Sequence, residues 1–260
     1  VGVTNSPNFA TRNNTRNLRV YGNIVLNSTV DFSGFIGRIV LRGTGAVNYT
    51  FDTDGVSLAS MSSLRIVAAA DATYSLINND LNVSEIDLRR GTLDLNTQDI
   101  TCETFNATVG NNVRAIDFSS QKMTITGSGA TNVFALESTD QRITFLNTST
   151  STIEFTGAGQ VVALFGSRNI DIPNLIFTNA TDIDFSTSFD GTERTVAFND
   201  ITINTDGTTF DIDNAINTGL RKTYGNVSLP NTCTFNFYHA NGTAYGTLSS
   251  RVNGTLTTGT

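Results

Sequence analysis

Short apolar triplets recur along the chain. In Leu64-Arg65-Ile66, Ile86-Asp87-Leu88, Ile116-Asp117-Phe118, Ile143-Thr144-Phe145, Ile153-Glu154-Phe155, Val196-Ala197-Phe198, Ile201-Thr202-Ile203 and Phe235-Asn236-Phe237, two apolar residues flank a third of free character. Strict alternation puts the outer pair on one face of a strand and the middle residue on the other. The Asn, Thr, Ser, Asp and Gly residues between triplets supply turns. No segment carries a sustained helical pattern.

The triplets repeat at a nearly regular distance. Residues 93–103 read LDLNTQDITCE and residues 116–126 read IDFSSQKMTIT. Leu93 aligns with Ile116, Asp94 with Asp117, Leu95 with Phe118, Gln98 with Gln121, Ile100 with Met123, Thr101 with Thr124 and Cys102 with Ile125. The same offset, give or take a few residues, links Leu64 to Ile86, Ile153 to Leu175 and Phe210 to Phe235. Short strands at such a period predict an all-β chain wound as a right-handed parallel β-helix, a β-solenoid of roughly 20–26 residues per coil. One coil cannot bury its own apolar side, so the core forms by stacking.

Phe134, Phe145, Phe155, Phe165, Phe177, Phe185, Phe198 and Phe210 follow one another at about half that period. They predict two inward aromatic stacks along the axis, each ring burying roughly 150–250 Å². Residues 1–17 are polar and aperiodic and read as an arm or linker. Residues 18–213 form the solenoid. Residues 214–260 lose the rhythm and read as terminal coils or the start of a further module. The start at Val1 and the end GTLTTGT read as a processed or interrupted chain.

Composition narrows the function classes. The net charge is −7 over 260 residues. The nearest basic pair in sequence, Arg89-Arg90, is too short for phosphate binding, which argues against a nucleic-acid partner. No apolar run approaches the roughly 18 residues of a membrane span. Cys102 and Cys233 lie five to six coils apart, roughly 25 Å at about 4.8 Å per coil. A disulfide needs Cα atoms within about 7 Å, so no bridge is expected and Cys102 reads as a small core residue.

The candidate chemistry rests on carboxylates. Asp182-Ile183-Asp184 and Asp211-Ile212-Asp213 each put two acids on one strand face. Stacked on adjacent coils, Asp182, Asp184, Asp211 and Asp213 are candidates for a Ca²⁺ site or for an acid–base pair of a polysaccharide lyase or hydrolase. Arg168 and Arg194 are the neighbouring bases. The bland reading, outward polar positions on short strands, is the one adopted, with no catalytic residue, metal or cofactor assigned. Asp87, Asp94 and Asp117 read likewise as a solvated ladder. His239, the single histidine, lacks the partners of a metal site or triad. Gly127-Ser128-Gly129 and Gly157-Ala158-Gly159 read as turns. Loops 106–112 and 187–193 are contact candidates because loops carry function more often than strands.

The stretch LDLNTQDITCETFNAT followed by VRAIDFSSQKMTITGSG resembles repeats of phage tail-fibre and spike-like structural proteins. Bacterial surface adhesins carry similar repeats. The resemblance implies a homotrimer or polymer that contacts host surface glycans, at a virion surface or otherwise outside the cell. The expected function is a non-enzymatic fibre, spike or decoration component. The alternatives are a self-assembling cell-surface filament or adhesin subunit, and a polysaccharide lyase or glycoside hydrolase.

Overall fold

The computed structural model describes residues 16–108, 112–129, 131–136, 143–164, 170–186, 194–214, 220–239, 249–252 and 256–258. These residues form parallel strands stacked as a β-solenoid, and no described residue is helical. From Leu81 onward each coil supplies strands to three faces, visited in the same order each time; the earlier coils supply strands to the second and third faces.

The first face stacks the start of Leu81–Asp94, the start of Ile100–Ala107, then Lys122–Ile125, Thr152–Phe155, Asn174–Phe177, Ile201–Ile203, Val227–Leu229 and Leu256–Thr258. The second face begins with Asn17–Val20, Arg38–Leu41 and Ser63–Val67. It continues through the middle of Leu81–Asp94 and the end of Ile100–Ala107 to Asn132–Leu136, Gly159–Leu164, Ala180–Ser186, Thr208–Asn214 and Cys233–His239. The third face runs from Ile24–Val25 and Asn48–Asp52 through Thr73–Ile77 and Gly91 to Asp94 of the long strand, then Arg114–Asp117 and Ile143–Leu146. Further along, Ile170–Ile172, Arg194–Phe198, Leu220–Tyr224 and Ser249–Val252 form a separate sheet.

The registers reproduce the alignment read from the repeat. Leu93 pairs with Ile116, Asp94 with Asp117, Ile100 with Met123, Thr101 with Thr124 and Cys102 with Ile125. Leu64 pairs with Ile86, Ile153 with Leu175 and Phe210 with Phe235. The coil length varies more widely than expected, from 19 residues at Leu81–Ile100 to 30 at Lys122–Thr152. The added residues fall in the connections between faces, where a longer excursion leaves the ladder untouched.

The triplets behave as alternation requires. Ile100, Cys102, Met123, Ile125, Ile153, Phe155, Leu175 and Phe177 are all buried, whereas Thr101, Thr124, Glu154 and Ile176 between them are not. Both cysteines are free thiols, and Cys102 is a core residue whose thiol burial pushes well above its usual range. The aromatic expectation needs correction. Phenylalanines come from all three faces and form one network across the interior, because a coil has three inward sides. Phe155 stacks on Phe177 at 4.8 Å and 5°. Phe177 also meets Phe185 at 5.7 Å, and Phe185 stacks on Phe198 at 5.5 Å. Phe165 lies outside the described residues.

Two further features were not anticipated. Arg114 is fully buried and donates to the backbone carbonyls of Ala107 (2.7 Å) and Asn112 (3.0 Å). At the corner before the first face, carboxyl and carboxamide oxygens extend the parallel ladder. Asp80 Oδ1 accepts the Asp99 N–H (2.8 Å), Asp99 Oδ1 the Lys122 N–H (2.9 Å), and Asp200 Oδ1 the Asn226 N–H (2.8 Å). Short polar side chains here satisfy backbone donors that a corner would otherwise strand, which accounts for much of the Asn and Asp in this chain.

Candidate functional site

The second face gathers arginines that are scattered in the sequence. Arg38 lies opposite Asn17 and Ser63, and Arg65 lies between Val40 and Asp87, with Arg19 opposite Val40. Arg42 follows Leu41 in the same strand direction, and Arg90 pairs with Val67. Arg16 stands at the lip of this face, its carbonyl accepting the Arg38 N–H at 2.9 Å. The long strand adds Arg89. The spacing that assembles them was visible: 22 residues from Arg16 to Arg38, 23 from Arg19 to Arg42, 23 from Arg42 to Arg65 and 24 from Arg65 to Arg89. These intervals are near the coil period, but the local registers are 21, 25 and 22 residues, so the arginines share the face offset along its strands and none pairs with another. The sequence argument that Arg89-Arg90 stood alone therefore fails, because it counted neighbours along the chain and not along the stack.

A carboxylate fixes the centre of this surface. Asp87 is 3 % exposed and accepts from Arg65 Nε at 2.7 Å and from Arg89 Nε at 3.0 Å. The expectation of a solvated Asp87 is overturned, since Arg65 on the preceding coil and Arg89 two residues further along its own strand cover it. Both arginines bond through Nε, so neither Nη end of Arg65 or Arg89 hydrogen-bonds within the described residues. Arg38 Nε is buried and also lacks a partner among them. Half-buried Glu85 completes the cluster. Burial first, then the nearby Asp87 charge, push its carboxyl above the usual range, against the pull of Arg38, Arg65 and Arg89. At one edge the Arg42 guanidinium sits 6.0 Å from the Tyr21 ring, which is 56 % exposed. The exposed Asp71 lies on the turn that follows this face.

Because burial raises the Glu85 carboxyl, its charged form disfavours folding near neutrality. That cost disappears as pH falls through the raised folded value, and below the ordinary carboxylate range folded and unfolded chains are protonated alike. Glu85→Gln is therefore expected to be more stable than the parent at pH 7, by urea midpoint, with the difference closing toward pH 4. A lower midpoint for Glu85→Gln at pH 7 would contradict this.

The acids singled out in the sequence lie farther along the same face. Asp184 is the register partner of Asp211, while Asp182 lies opposite Thr209 and Asp213 opposite Tyr238. One pair of the four is thus brought side by side. The side chains of Asp211 and Asp213 lie outside the described residues. Arg194 belongs to the third face, in register with Leu220, and Arg168 lies outside the described residues. The His239 backbone pairs with Asn214. Asp94 and Asp117 do stack, and each caps a turn by accepting an N–H, from Asn96 (2.8 Å) and Ser119 (3.0 Å). Among the described residues no three His, Cys, Asp or Glu side chains converge as metal ligands. Loop 106–112 is described at its ends, and 187–193 lies outside the described residues.

An open groove of about 640 Å³ lies between residues 28–33 and 55–60 and is lined by hydroxyls, Val30, Val56 and Phe32. The Ser33 hydroxyl and N–H hold the Asp31 carboxyl below its usual range.

Fold and surface together define a β-solenoid with a fixed guanidinium cluster on one face. The chain matches no protein-family model, and no curated protein or solved structure matches it.

Proposed function

We propose that the chain is a non-enzymatic structural and adhesive protein, a fibre, spike or decoration component of a virion that self-associates and contacts a host surface. The observation that carries this reading is the first coil. Within the described residues, Asn17–Val20 pairs with Arg38–Leu41 alone, and Ile24–Val25 with Asn48–Asp52 alone. Among the described residues the second edge of each strand carries no pairing, and strand edges are templates for a further segment or another chain. Val25 (69 % exposed), Tyr21 and Val47 put apolar surface beside that edge. The rhythm of residues 93–126, which resembles fibre and spike repeats, supports the virion setting.

The native mass, by size-exclusion chromatography with light scattering, tests the reading. A trimer or larger polymer is expected, and Val25→Asp is expected to shift it to monomer with the thermal midpoint unchanged. A parent chain that runs as a monomer at all concentrations overturns it.

A further inference from the structure

We propose that the arginine surface of the first coils binds a linear anionic polysaccharide, gripping its carboxylate or sulfate groups. This deepens the adhesive reading and rests on it for biological role, though not for the binding itself.

Three observations carry the assignment. First, the guanidiniums are oriented in advance. Asp87 holds Arg65 and Arg89 by Nε on successive coils, which leaves the paired Nη groups of each without a partner among the described residues, on side chains that are 19 % and 30 % exposed. A planar guanidinium fork matches a carboxylate or sulfate by two parallel hydrogen bonds. Rotamer entropy already spent in holding the fork is not spent again on binding.

Second, the cations form a diagonal row. Arg38, Arg65 and Arg89 come from successive coils, each about two residues further along the strand than the one before, since Arg65 pairs with Val40 and Asp87 with Arg65, and they are flanked by Arg19, Arg42 and Arg90. A row suits a chain carrying repeated charges better than a single small anion.

Third, the surface contains what a sugar needs beyond a charge. Glu85 is half-buried among the arginines and accepts no hydrogen bond within the described residues, so its oxygens are available to sugar hydroxyls. The exposed Tyr21 ring beside Arg42 offers an apolar face to a pyranose. Those features favour a glycan over a polyphosphate. A duplex phosphate backbone has no hydroxyl to give Glu85, whereas every sugar of a glycan does.

The test is binding of the full chain to alginate, heparin, neutral dextran and double-stranded DNA, by calorimetry at low and at 0.5 M salt. Alginate or heparin is expected to bind, with affinity falling at high salt as screening predicts, and dextran is expected not to bind. The exposed pair Arg19→Glu and Arg90→Glu should weaken binding at least tenfold with the thermal midpoint unchanged. Arg65→Ala with Arg89→Ala should abolish it. That second variant strands Asp87, so the exposed pair keeps the test valid should it unfold. Glu85→Gln should bind more weakly despite the loss of a negative charge, because one of its two acceptor oxygens becomes a donor. Absence of binding to both anionic glycans overturns the proposal. So does equal binding of dextran, tighter binding of DNA, or an affinity unmoved by the exposed pair. Loss of self-association in the exposed pair without loss of glycan binding would assign the patch to contacts between copies. The native mass of the parent reports on the adhesive reading separately, so failure here leaves that measurement standing.

Discussion

Phe177→Ala is expected to cost about 3–5 kcal/mol, the range for deleting a fully buried aromatic ring. Phe177 is wholly inaccessible and sits where three coils meet. It stacks on Phe155 from the coil before, at 4.8 Å and 5°. It meets Phe185 across the corner of its own coil at 5.7 Å, and Phe210 of the coil after at 6.5 Å. Backbone ladders run on both sides, at Ile153–Leu175 and Leu175–Ile201, so the coils cannot slide together to fill the hole. The cavity term therefore adds to the lost transfer energy. In a solenoid each coil contacts only its neighbours, and stability is nearly a sum of coil and interface terms. Removing this ring weakens two successive interfaces at once. Urea unfolding followed by circular dichroism should show a lower midpoint and a broadened, two-step transition. Phe177→Leu, which keeps most of the volume, should cost about 1–1.5 kcal/mol and retain a single step. A loss below about 1 kcal/mol for the alanine variant would show that the aromatic network is not what couples the coils.

That network also marks where the sequence was legible and where it was not. The repeat fixed registers to the residue: Asp94 on Asp117, Cys102 on Ile125 and Phe210 on Phe235 all lie as aligned. Register shows in sequence because a slip of one residue would turn every apolar pair outward. The number of faces did not show. Phenylalanines at half the period suggested two sides, yet Phe155, Phe185 and Phe198 belong to different faces, since corners differ in length and blur the interval. The arginine surface was written near the coil period, offset along the strands, and was missed because charge was sought in runs. Asp87 shows the reverse difficulty. Alternation gave its outward direction correctly, and only the stack could reveal that Arg65 and Arg89 enclose it. For the carboxylates, two Asp-Ile-Asp segments invite pairing of like with like. The ladder instead sets Asp184 against Asp211 and leaves Asp182 opposite Thr209, a shift that no residue in either segment announces.

The two Gly-x-Gly turns give the second large effect. Gly157→Ala is expected to cost about 3 kcal/mol, near the upper end for overpacking, and for a reason unrelated to backbone conformation. A Cβ at Gly157 would stand 2.1 Å from the Gly127 carbonyl oxygen, and one at Gly127 would stand 2.3 Å from the Glu103 carbonyl oxygen. These are backbone atoms of the coil below, held by hydrogen bonds from Thr126 to Cys102 and from Thr156 to Ile125. No rotamer change relieves the contact, so the coils must part locally and ladder bonds must lengthen. The second glycines serve a different need. Gly129 and Gly159 have φ of 118° and 88° with open space around them, so alanine there meets only the strain of the left-handed region, roughly 1–2 kcal/mol. Gly22, with open space and an ordinary φ, should accept alanine within a few tenths of a kcal/mol. Urea midpoints should thus rank Gly22→Ala above Gly159→Ala above Gly157→Ala. If Gly157→Ala proves milder than Gly159→Ala, the first glycine is there for its conformation and not for the approach of one coil to the next.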